Sequence, residues 1–162
     1  MPDKLVVIVL GNRRAGKSST WNKVFGRRVR TGRHRLNLNA AEWVDVFLTS
    51  GSPEERKKHI KNILPPHKPT IVLCSVQYRA EGKDTLDFFI KNHYDLLVIW
   101  LNPGYRDKRR YKDTLGLIQS LIDRKAFVVR MNGKSNLANR SLAIRQFIYG
   151  WGTVRNLVRI DF

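Results

Sequence analysis

Near the start of the chain, Gly11-Asn12-Arg13-Arg14-Ala15-Gly16-Lys17-Ser18 fills the spacing G-x-x-x-x-G-K-[ST] at every fixed position. Each residue type has a chemical use there. The glycines let the backbone curl and approach an anion with no Cβ in the way. Successive N–H groups from Asn12 to Gly16, and on to Ser19, then point toward that anion, and the positive end of a following helix adds to the field. Lys17 supplies a point charge for the outer groups of a polyphosphate. The Ser18 hydroxyl suits a hard cation such as Mg²⁺. Arg13 and Arg14 add positive potential inside the turn. The chemistry implied is polyphosphate binding through Gly11–Ser19.

Such a turn needs a strand before it and a helix after it. LVVIVL, Leu5–Leu10, is a continuous apolar run that leads directly into Gly11. Three more runs, Val44–Leu48, Ile71–Val76 and Leu96–Leu101, have the same β-branched character, and Ala126–Met131 is a fifth. Near-continuous hydrophobicity suits strands covered on both faces. Between them, Ser52-Pro53-Glu54-Glu55 is a helix start with Ser52 as cap, Pro53 first and Glu55 completing a capping box. Helical spacing recurs over Thr85–Asn92, Asp107–Arg124 and Asn136–Tyr149. The alternation predicts one α/β domain over residues 1–162: a mainly parallel sheet of about five strands flanked by helices in three layers. Arg27–Asn39 and the turn at Asn102–Tyr105 read as the least structured stretches, and the tail after Gly150 as a last strand or a docked extension.

Leu5–Gly26 resembles the phosphate loop of the P-loop NTPases, and GKSSTWNKVFG is similar to its GTPase-type continuation. The resemblance covers about the first 26 residues; beyond them only the strand–helix alternation agrees. It implies a bound nucleoside triphosphate, ATP or GTP, with Mg²⁺ held by Ser18 and phosphate charge stabilised by Lys17. In the same family a switch threonine touches the metal, a place Thr31 fits within RRVRTGRHR. A nucleotide-kinase lid carries arginines where GYRDKRRYK stands, which makes Arg109, with Arg106 and Arg110, a candidate to stabilise a transferring phosphoryl group.

The pattern also departs from the family. No carboxylate ends the strand IVLCSV, so the acid that positions water or the metal shell must come from elsewhere. Glu81 and Asp84 rank ahead of Asp45. After the fifth strand, Asn132-Gly133-Lys134-Ser135-Asn136 lacks the aspartate of a guanine-reading N-K-x-D segment, which leans the expectation to ATP.

The whole chain carries 31 Lys and Arg against 13 Asp and Glu, a formal charge of +18. That excess attracts polyanions, and Tyr105 and Tyr111 among arginines suit stacking on single-stranded nucleic acid. Cys74 is the one cysteine, so no disulfide or thiolate metal framework forms within a monomer. No segment has the pattern of a signal peptide or the length of a membrane span, and a cytoplasmic protein is expected. The four histidines have no ligand-like spacing. The expected function is a Mg-dependent NTPase associated with nucleic acid or a larger assembly, with a protein partner or a second copy able to complete the site. A small kinase acting on a phosphorylated or nucleic-acid substrate, and a nucleotide-responsive module that does not hydrolyse, stand as alternatives.

Overall fold

A computed structural model describes residues 4–161. It is α/β, with a mostly parallel sheet flanked by helices. The strands are β1 (Leu5–Gly11), β2 (Gly32–Asn37), β3 (Glu42–Thr49), β4 (Ile71–Gln77), β5 (Asp95–Leu101), β6 (Phe127–Met131) and β7 (Arg159–Ile160). The helices are α1 (Lys17–Phe25), α2 (Pro53–Arg56), α3 (Gly82–Lys91), α4 (Leu117–Asp123) and α5 (Leu137–Val154). Among the described residues no helix is long and apolar enough to cross a membrane.

All five apolar runs became strands, yet among the described residues the sheet has seven rather than about five, in the order β2-β3-β4-β1-β5-β6 with β7 beside the start of β3. The two additions pair antiparallel with β3, while β3, β4, β1, β5 and β6 run parallel. β2 lies within the stretch read as least structured. Its sequence GRHRLN lacks an apolar run because it is an edge strand, and only Leu36 in it is buried.

The central strand explains the layering. Every residue of β1 is buried, and successive side chains part to opposite faces. Leu5, Val7 and Val9 pack with Trp21 and Val24 of α1 and with Ile144 and Ile148 of α5. Val6, Ile8 and Leu10 pack with Leu86 and Phe89 of α3 and with Leu117 and Leu121 of α4. A strand sandwiched in this way carries no polar alternation, which is why it reads as one hydrophobic block.

The helices were legible in position more than in length. Ser52 does cap α2, its Oγ accepting from the Glu55 N–H at 3.3 Å, but the helix is a single turn. Asp107–Arg124 is helical only from Leu117. Residues 102–116 are instead held in an irregular path by their own side chains. Asn102 exchanges hydrogen bonds with the Tyr111 backbone at 2.7 and 2.9 Å, and Asp113 receives the Tyr78 hydroxyl at 2.5 Å.

β1 has β4 on one side and β5 on the other. From β1 the chain goes out to the edge strand β2, returns through β3 and β4, and then crosses over to β5, so the sheet's order reverses at β1. In open parallel sheets the crevice at such a point, beyond the carboxyl ends of the strands, is where ligands bind.

Trp21 is fully buried and donates from Nε1 to Ser75 Oγ at 2.8 Å, and Ser75 in turn donates to the Ser50 carbonyl at 2.9 Å. Trp21→Ala is expected to lower stability by about 3–5 kcal/mol, read by chemical denaturation. Burial pushes the Cys74 thiol up to about 12, so a thiol reagent at neutral pH is expected to label it only as fast as the chain unfolds.

Candidate functional site

At the end of β1 the backbone turns through residues 12–16 and enters α1. Arg14 has φ +60° and Gly16 φ +106°, left-handed values that let the chain double back, and Ala15 N–H bonds to the Asn12 carbonyl at 3.1 Å. Lys17 follows immediately and is only 7% exposed. Its ammonium donates to the carbonyls of Asn12 at 2.9 Å and Gly11 at 3.3 Å, which folds the side chain back over the turn. Desolvation lowers its pKa, an effect opposed by Glu55 and Glu54. Two carbonyls and the nearby carboxylate of Glu55 supply the oxygens that let this buried ammonium keep its charge.

The turn forms one wall of a cleft of about 670 Å³. Arg13, Arg14, Ser18 and Ser19 are exposed along that wall, and Lys17 lies beneath them. A second wall comes from the end of β3 and from α2: Ser50, Ser52 and Glu55. The Glu55 carboxylate stands 3.8 Å from Lys17 Nζ. The third wall comes from the segments after β5 and β6: Tyr105, Arg106, residues 133–137 and Arg140.

Arg140 is unusual. It is 4% exposed, donating from Nε to Thr20 Oγ1 and from Nη1 to the Asn132 carbonyl, both at 3.0 Å. No carboxylate among the described residues pairs with it, and burial lowers its pKa. Lys17 and Arg140 therefore place two buried cations around one cleft, against a single acid, Glu55, among its lining residues. The arrangement can hold a multiply charged anion.

The walls are locked together by backbone. Tyr105 N–H bonds to the Ala15 carbonyl at 2.9 Å and Gly133 N–H to the Pro103 carbonyl at 2.7 Å. Asn12 Nδ2 donates to both oxygens of Asp107, at 3.2 and 3.3 Å, and Gly104 N–H donates to the same carboxylate at 2.7 Å.

Of the residues singled out in the sequence, Arg13 to Ser19 are gathered at the cleft, while Gly11, Asn12 and the outlying candidates do not line it. Glu81 is exposed and paired with Arg79 outside the lining. Asp84 is exposed at the start of α3. Asp45 faces a separate groove, 3.8 Å from Arg159. The Thr31 hydroxyl is engaged by the Ser50 N–H at 3.0 Å and Arg56 Nη2 at 2.6 Å. Arg109 is exposed on the segment after β5 without lining the cleft, whereas its neighbour Arg106 does line it. Sequence reasoning missed Glu55 as a site residue, having read it only as a cap partner. Its position just past the end of a parallel strand was the available signal. Arg140 gave less: an arginine one turn into a helix has no pattern that reports burial. No cluster of three or more His, Cys, Asp or Glu capable of holding a metal is present among the described residues.

No family model matches the chain, and no curated protein matches it. Among solved structures, the solution NMR structure of a de novo designed protein aligns over 90% of each chain, with 13% identity and a TM-score of 0.46.

Gly133 sits where a Cβ would meet the Ala15 carbonyl oxygen at 2.7 Å and Gly104 Cα at 2.9 Å. Gly133→Ala is expected to push the walls apart and destabilise the fold by about 1–3 kcal/mol, measured as a fall in the denaturation midpoint.

Proposed function

We propose that the cleft binds a nucleoside triphosphate with Mg²⁺ and that the protein is a Mg-dependent P-loop NTPase of the cytoplasm, recruited to nucleic acid. On this reading the fold is a three-layer variant of the P-loop NTPase architecture. The observation that carries it is Lys17: a buried ammonium bonded to the carbonyls of its own turn, at the carboxyl end of a central parallel strand. A triphosphate takes over from those carbonyls as the partner of the charge.

Each residue then has a task that follows from its place. The N–H groups of residues 13–16 cradle the β phosphate, and Lys17 spans the β and γ phosphates. Arg140 neutralises charge from the opposite wall. Ser18 would hold a magnesium ion through its hydroxyl, an oxygen donor suited to that hard cation. An ion held there would stabilise negative charge on the phosphate oxygens. Glu55 orients the attacking water and supplies the acid missing from the end of β4. Arg13, Arg14 and Arg106 stabilise the terminal phosphoryl group as charge develops on it.

ATP is preferred over GTP. The wall formed by residues 133–137 holds no carboxylate to accept the guanine edge, and the cleft's single acid stands on the other side beside Lys17.

Turnover of ATP and GTP with Mg²⁺, measured with and without single-stranded DNA or RNA, tests the reading. Lys17→Ala is expected to abolish binding and turnover together. Glu55→Gln is expected to keep ATP binding while turnover falls about 100-fold; unchanged turnover removes Glu55 from the mechanism. Turnover only with an added acceptor favours a kinase, and binding without turnover in the wild type favours a nucleotide-responsive module. Because burial lowers the Lys17 pKa from the ordinary 10.5, ATP affinity is expected to weaken as pH rises through that lowered value, where the free protein loses the proton that binding requires. Lys17→Arg, which stays charged, is expected to lack that alkaline limb.

A further inference from the structure

Residues 102–116 sort their charges by sign. Both acids turn inward: Asp107 is held by Asn12 and Gly104, and Asp113 by the Tyr78 hydroxyl and the Gln119 N–H at 2.9 Å. Tyr111 is inside as well, its hydroxyl accepting from Trp100 Nε1 at 3.0 Å. The cations do the opposite. Arg106, Lys108, Arg109, Arg110 and Lys112 are all exposed, and none is in an ion pair among the described residues. An ordinary solvated surface intersperses the two signs. Here the acids serve as anchors and the bases are left facing outward on a segment with a fixed path.

We propose that this segment is the docking surface for the backbone of a single-stranded nucleic acid, lying across the mouth of the cleft. The proposal rests on the reading of an NTPase recruited to nucleic acid and gives that contact a location. Lys108, Arg109, Arg110 and Lys112, exposed and outside the cleft lining, match a run of phosphates. Tyr105, 59% exposed beside Arg106, offers a ring on which a base can stack. An irregular segment has no helix or ribbon to enter a duplex groove. The short helix that follows turns Leu117, Ile118 and Leu121 into the core and leaves one apolar side chain, Ile122, exposed, too little for an apolar face that could lie on a membrane surface. The Tyr105–Ala15 and Asn12–Asp107 hydrogen bonds join the segment to the turn that holds Lys17. A strand docked there lies beside Arg106, on the cleft wall that faces the phosphates.

The test is fluorescence anisotropy without nucleotide, using an oligothymidylate and an oligouridylate of about 20 nucleotides, a duplex of equal length, and vesicles of phosphatidylcholine and phosphatidylserine. Wild type is expected to prefer the single strands. Combining Lys108→Ala, Arg109→Ala and Arg110→Ala is expected to weaken binding at least about tenfold and to reduce the log–log salt slope by about 2, close to the single-strand increment for three phosphates. Tyr105→Ala is expected to weaken it about fivefold or more, the lower end of one lost stack. Combining Arg27→Ala, Arg28→Ala and Arg30→Ala removes the same charge from another exposed segment and is expected to change affinity by less than about threefold, as for charges with no phosphate partner. Equal loss in both triple variants would reduce the effect to overall charge and overturn the proposal. So would preference for duplex or vesicles, or no binding of single strands. ATP binding by the wild type, measured alongside, separates these outcomes from a failure of the nucleotide reading.

Discussion

Taking the Lys17 ammonium out of water is the constraint that the rest of the molecule meets. A buried cation is tolerated only where oxygen atoms surround it, and here two of them are main-chain carbonyls that face inward only while residues 11–16 stay curled. The curl is in turn held from outside, by backbone bonds from Tyr105 to Ala15 and by the close stacking of Gly104 and Gly133 against the turn. Those two segments leave β5 and β6, so the register of the parallel sheet sets the position of the lysine.

The turn between β1 and α1 was legible because it is local. Its shape depends on residues adjacent in sequence, and the strand before it is apolar on both faces because helices cover both. The edge strand β2 was not legible, since GRHRLN contributes one buried side chain and lacks the run that marks an interior strand. The segment after β5 misled for a different reason. Leu115, Ile118, Leu121 and Ile122 do recur at helical spacing, but Asn102, Asp107 and Asp113 bind partners that the spacing does not reveal, and those bonds hold residues 102–116 out of the helix.

Glu55 and Arg140 share a lesson about where sequence patterns end. Glu55 satisfies a local rule at α2, its N–H meeting Ser52, while its carboxylate faces Lys17, more than thirty residues earlier in the chain. Arg140 joins α1 to the end of β6 through Thr20 and Asn132. Neither relation is visible until the sheet order is known. With that order in hand, every segment that follows a parallel strand arrives at one edge, and acids or bases found in those segments become neighbours.

The pairing of β1 also dictates the order in which the chain acquires its shape. Val6 faces Val72 on one side and Leu96 on the other, so β1 is flanked by strands made much later than itself. Contacts of such sequence separation close slowly. Until residues 71–77 have left the ribosome, LVVIVLG has no neighbour, and until residues 95–101 follow it is paired on one side only, an apolar segment open to wrong partners. The turn at Lys17 precedes those strands in the chain but takes shape after them, and an interrupted or truncated product would display its hydrophobic strand without the neighbours that pair with it.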